Sequence, residues 1–190
     1  RTAPSTLHMI LPEVYLNRID QDTFTKEVNA TMLEYLNNGI LSNEYEGFVL
    51  IDRILNNGVR RLGLLVSVDL EAYEYTSGAC SLIRATEATV IDRLPPRVRI
   101  RKDAPLELPH IMILYDDPDR SLTEALMQKA NEFTQIYDTD LMEYGGHISG
   151  YLVNSSEHCR IIADSLDRQL KRDPDNSFIF AVGDGNHSLA

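Results

Sequence analysis

Long apolar runs, clustered cysteines and a surplus of positive charge are all missing from this sequence. No stretch of about 18 consecutive apolar residues occurs, so nothing reads as a membrane-spanning helix. The opening RTAPSTLHMILPEV lacks the apolar length and small-residue cleavage pattern of a secretory signal. Cys80 and Cys159 are far apart and fall in no Cys-x-x-Cys spacing, which argues against a disulfide framework and supplies no zinc site. A cytoplasmic protein with no membrane partner and no structural metal is expected. Basic residues are few, 18 Lys and Arg against 29 Asp and Glu, for a net charge of -11. Nucleic-acid backbones are held by many cationic contacts, so no nucleic-acid partner is expected. Walker, dinucleotide-fold, Ser-His-Asp and zincin patterns are absent, as are internal repeats and linkers.

What is present suits a mixed α/β (α+β) fold: a mixed sheet with helices packed on it, in one domain over residues 1–190 that reads as the N-terminal portion of a longer protein. Strands are expected over 5–11, 48–55, 59–70, 147–153 and 178–182. Asn56-Asn57-Gly58 joins the second and third as a hairpin, because Asn-Gly tolerates the positive φ of a tight turn. The apolar run 108–115 reads as a strand covered on both faces. Helices are expected over 23–37 with Asp22 as a cap, from Asp119 or Ser121 to about Thr134, and over 157–171. The segment RATEATVIDRLPPRVRIRKDAP fits either a strand or a helix. Two prolines favour the helix, whose first turn needs no N–H from them.

That segment is also a basic island. From Arg84 to Lys102, the residues Arg84, Arg93, Arg97, Arg99, Arg101 and Lys102 face only Glu87 and Asp92, so that window carries +4 and the remainder -15. An island of this kind marks an anion site or a solvated, ion-paired face. The second unusual feature is the ending SFIFAVGDGNHSLA, in which a strand runs into Gly183, Asp184, Gly185, Asn186, His187 and Ser188. Glycines admit a tight corner and close approach to the backbone. If a helix begins there, its first amides lack acceptors and suit a phosphate or carboxylate. Asp184 and His187 add an acid and a group that titrates near neutrality. A plain turn closed by Asp and Asn explains the same residues structurally.

The stretches GLLVSVDLEAY, SLIRATEATVIDRLPPRVRIRKDAPLELPHIMILYDD and FAVGDGNHSLA resemble the uncharacterised prokaryotic family catalogued as domain of unknown function ten-fifteen, over most of the chain from Gly63 onward. The corner is also similar, more distantly, to the Asp-Gly-His-His-Arg motif of the ParB and sulfiredoxin-like superfamily, which includes free-serine kinases. There the motif binds nucleotide phosphates at a helix start. Asp184, Gly185 and His187 match by position, while Asn186 and Ser188 replace a histidine and an arginine. The resemblance therefore implies that the island must supply the missing guanidinium. Sulfiredoxin chemistry is disfavoured, because Asn186 stands where its cysteine would be.

The expected ligand is an anionic small molecule or nucleotide. It would lie against Gly183, Gly185, Asn186 and Ser188, with Arg84, Arg97 and Arg99 neutralising its charge. In the sharpest form Glu87, Asp184 and His187 carry phosphoryl transfer with ATP or ADP and Mg2+. A non-catalytic metabolite sensor and a structural or interaction module are the alternatives, and the residues leave the oligomeric state open. Among other candidates, His147 could line the same pocket, His158-Cys159 diverge on a helix as a poor chelate, and His8 and His110 lie in strands. Asp116, Asp117 and Asp119 read as an acidic turn capping the next helix.

Overall fold

The computed structural model describes residues 3–15, 19–41, 43–172 and 178–190. Its class is mixed α/β, as the sequence implies, but the strands divide between two four-stranded sheets. The first contains β1 (Phe48–Ile54), β2 (Arg60–Leu65), β6 (Thr134–Asp140) and β7 (His147–Val153) in the order β2-β1-β7-β6, all antiparallel. Asn-Gly makes the β1–β2 turn as expected, and Gly58 takes φ +80. The second sheet contains β3 (Tyr73–Glu74), β4 (Ile83–Ala85), β5 (Met112–Tyr115) and β8 (Phe180–Asp184) in the order β3-β4-β8-β5. Its first three strands are parallel, and β5 is antiparallel to β8.

Among the described residues five α-helices accompany the sheets: α1 (Gln21–Asn37), α2 (Leu94–Arg101), α3 (Thr123–Met127), α4 (Ser156–Arg172) and α5 (Asn186–Leu189). Among the described residues, none is long and apolar enough to cross a membrane. The prolines 95 and 96 occupy the first turn of α2, so the ambiguous arginine segment is a helix. The cap of α1 is Asp20 rather than Asp22: its carboxylate accepts Asp22 N–H at 3.2 Å. Asp117 caps the turn before α3, accepting from Ser121 N–H at 2.9 Å and Leu122 N–H at 2.8 Å. Arg172 pairs with the flanking Asp116 and Asp119.

Three apolar clusters hold these elements. Leu50 and Val153 on the first sheet meet Leu122, Leu126 and Ile162 from α3 and α4. Val28, Met32 and Tyr35 on one face of α1 close over Met9. Ile83, Val182 and Leu189 join the second sheet to α5. Residues 5–11 are not a strand. Ser5 caps a short 3-10 turn, Thr6–His8, and the Tyr35 hydroxyl meets both Ser5 N–H and His8 Nδ1, so no strand partner is involved. His110 also lies outside any strand, its Nδ1 2.9 Å from Leu108 O. The run 108–115 yields only β5. That strand is an edge with Met112 and Leu114 about half exposed, so it is not covered on both faces. The helix expected to reach Thr134 stops at Met127, and a 3-10 turn leads into β6. The final strand is shifted two residues late, because Ile179 and Phe180 donate to Leu82 O before regular pairing begins.

Candidate functional site

The corner is built as strand, left-handed residue and one helical turn. Val182 is fully buried, Gly183 lies against Leu114, and Gly185 takes φ +89, where a Cβ would sit 3.0 Å from Ile111 Cγ1. The Asp184 carboxylate folds back to accept Gly185 N–H at 2.8 Å. Gly185 O in turn accepts the amides of Ser188 at 2.9 Å and Leu189 at 3.0 Å. The expected cradle of free amides is thus corrected at Ser188, whose N–H is already used inside the four-residue α5. The Gly185 and Leu189 amides are likewise engaged within the corner.

Asn186 and His187 point into the protein. Asn186 is 2% exposed; its Oδ1 accepts Thr86 N–H at 3.2 Å, and its Nδ2 donates to Val182 O at 3.3 Å and Thr86 Oγ1 at 3.5 Å. Thr86 Oγ1 also donates to Val182 O, and Tyr73 OH donates to Asn186 O at 3.4 Å. Burial holds the Tyr73 phenol above its ordinary range. His187 Nε2 accepts Val90 N–H at 3.0 Å, so the ring proton of this tautomer sits on Nδ1, 3.6 Å from Glu87 Oε1. The corner therefore fastens the loop after β4. Glu87 stays near this ring, with its side chain 61% exposed.

The island and the corner meet. Arg97, Arg101 and Lys102 of the α2 region line a cleft with His187, Ser188 and Leu189. Arg101 Nη1 donates to Ser188 O at 3.2 Å, and its Nη2 to Glu107 Oε2 at 2.8 Å. The other two chosen arginines lie elsewhere. Arg99 faces α1, 3.5 Å from Asp22 Oδ1. Arg84 donates to Ser81 O at 2.9 Å, stacks over Phe178, and lines a second cleft, with Thr76, Thr86 and Glu87, at the carboxyl ends of β3 and β4. Sequence reasoning missed Arg101, Lys102, Thr86 and Val90 as parts of the site. The spacing of Arg97 and Arg101, four apart on a helix, is the signal that would have paired them.

Two other constellations have structural explanations. Ser155 Oγ accepts His158 N–H at 3.2 Å at the start of α4 and lies 2.6 Å from His158 Nδ1. His158 Nε2 lies 2.9 Å from Glu132 Oε2, which lowers the Glu132 carboxyl. This Ser-His-Glu chain serves as the helix cap. His147 lies in the first sheet, with Nδ1 2.8 Å from Asp140 Oδ1 and Nε2 2.7 Å from Asp138 Oδ1. Both nitrogens donate only in the charged ring, and these bonds, Asp140's first, raise its pKa. The Asp138 carboxyl is lowered, first by Ser149 and then by His147. A raised histidine stabilises the fold fully below its unfolded value, about 6.5, and this is lost as pH rises through the folded value. A lowered aspartate contributes above about 3.9 and is lost as pH falls through its folded value. The β6–β7 pairing is therefore expected to be tightest between about pH 4 and 6.5. NMR titration should place His147 above 6.5 and return it toward 6.5 in Asp138→Asn/Asp140→Asn; an unshifted His147 would refute the clip.

Two sheets, one partly parallel, with a glycine-bent strand-to-helix corner facing a basic helix, define an α/β protein with a cleft lined by Arg97, Arg101 and Lys102. The family described as Protein of unknown function (DUF1015) matches residues 1–190, and the chain belongs to it. Searches of curated proteins and of solved structures returned no match.

Proposed function

We propose that the protein binds a phosphate-bearing small molecule in the cleft between α2 and the corner. One observation carries the reading. Where the phosphate-binding motif of the ParB and sulfiredoxin-like superfamily has an arginine, this chain has Ser188, and the Arg101 guanidinium arrives from α2 to bond Ser188 O. The guanidinium absent from the motif is thus supplied in space, with Arg97 and Lys102 in the same cleft. In an acidic protein these cations favour a small anion over a polyanion.

Phosphoryl transfer is the second reading, favoured by Glu87. Its carboxylate is accessible, lies 3.6 Å from His187 Nδ1, and lines the Arg84 cleft on the other side of the corner, where it would take the proton of an attacking hydroxyl seated in that cleft. Among the described residues no three His, Cys, Asp or Glu side chains could hold a metal by themselves. Magnesium would therefore be shared between one carboxylate, Glu87 or Asp184, and the ligand's own phosphates, whose developing charge it would neutralise.

Calorimetry and thermal shift with phosphate, pyrophosphate, ADP and ATP, with and without magnesium, test this. At least one should raise the melting temperature. Arg101→Ala should weaken that ligand roughly tenfold or more, whereas Arg99→Ala leaves it nearly unchanged. Glu87→Gln should remove turnover detected by 31P NMR and keep binding. Absence of any phosphate-dependent shift, or an Arg101→Ala variant that binds like the parent, overturns the proposal.

A further inference from the structure

An apolar groove of about 320 Å³ opens beside the basic cleft. Its floor is the α1 cluster, with Met9, Val28 and Met32, and its sides include Ile100, Leu106 and Leu108. At one end stand Arg97, Arg101, Glu107 and Ser188, which also line the basic cleft. The two spaces therefore adjoin, with the guanidinium groups on their shared boundary.

We infer that the anion bound at Arg97 and Arg101 carries an aliphatic body, and that this groove seats it; the inference rests on the phosphate-binding reading above. The lining selects this chemistry. Among the described lining residues the one aromatic ring is the small His110 imidazole, and no Phe, Tyr or Trp offers a nucleobase a broad face to stack on. A base also brings several hydrogen-bonding groups, each costly to bury without a partner, and the floor is made of Met, Val and Ile side chains. Unbranched thioethers adapt to flexible chains of varying length. The volume lies at the lower end of the ~300–1,000 Å³ typical of small-molecule pockets, which suits a short or medium chain and not a long lipid tail. Charge decides the orientation. Arg101 uses one N–H on Ser188 O and one on Glu107, and its guanidinium has about five donors in all, so donors remain for a phosphate head. The tail then runs from the arginines toward Met32.

A series of monoalkyl phosphates, from methyl to octyl and below their micelle concentrations, titrated calorimetrically against inorganic phosphate and ATP, tests the inference. Affinity should climb roughly threefold to fourfold per methylene and then level off once the groove is full. Val28→Phe, which fills the groove from its floor and lies outside the basic cleft, should flatten the series while inorganic phosphate binds as before. Ile100→Gln, on the accessible face of α2, should reduce the slope even if the phenylalanine variant fails to fold. Alkyl phosphates that bind no better than phosphate itself overturn the inference and leave the phosphate site standing. If no phosphate compound binds at all, the reading of the site fails, and the inference with it. A dimer by sedimentation that octyl phosphate does not perturb, with Val28→Phe monomeric, assigns the groove to a second copy of the chain and also overturns it.

Discussion

Asn186→Ala is expected to lose about 2–4 kcal/mol of stability in urea unfolding, a large change for one small polar side chain. The amide is almost wholly buried and joins Thr86 N–H, Thr86 Oγ1 and Val182 O. Removing it leaves Thr86 N–H without its acceptor, at about 1–3 kcal/mol, and forfeits the two bonds made by Nδ2 for roughly 1 kcal/mol more, while Val182 O keeps its bond from Thr86 Oγ1. Asn186→Asp should be worse, since it sets a carboxylate against Val182 O where solvent cannot reach. Asp184→Ala should change stability little, because Asp184 is exposed and water replaces its bond to Gly185 N–H. His187→Ala also removes the acceptor for Val90 N–H, so its melting temperature falls along with any loss of binding. An Asn186→Ala loss below about 1 kcal/mol would show that the loop after β4 is held by something else.

Gly146→Ala is expected to cost more than about 3 kcal/mol, from left-handed strain and collision together. The residue has φ +86, and an added Cβ would lie 2.0 Å from Ile54 O and 2.9 Å from Leu55 Cα. Those atoms are backbone at the end of β1 and have no rotamer by which to retreat. Gly58→Ala is the control. It has φ +80 and nothing within 4 Å, so only the conformational cost of about 1–2 kcal/mol applies. Equal losses at the two sites would show that the contact with β1 is unimportant.

Much of the architecture was legible where local chemistry decides it. Asn57-Gly58 announced its hairpin, the alternation of 147–153 its strand, and the prolines before Arg97 the start of a helix. The failures have a common cause. β3 and β4 are two and three residues long, too short to show a period. β6 is a polar edge strand, defined by pairing with β7 and not by its own sequence. Residues 5–11 are apolar because Met9 sits against α1, not because they pair. At the corner, the strand-turn-helix shape could be read from the glycines. The inward turn of Asn186 and His187 could not, since their partners lie 100 and 97 residues away. The arginines divided for a related reason: the helix gives Arg97 and Arg101 to the corner and Arg99 to α1.

The distance between Thr86 and Asn186 also governs how the chain is made. A ribosome adding about 5–20 residues each second leaves β4, with β3 paired to its other edge, waiting roughly 5–20 s for β8. In that interval the nascent polypeptide exposes Ile83 without its neighbour Val182, a vulnerable period in which a chaperone would be useful.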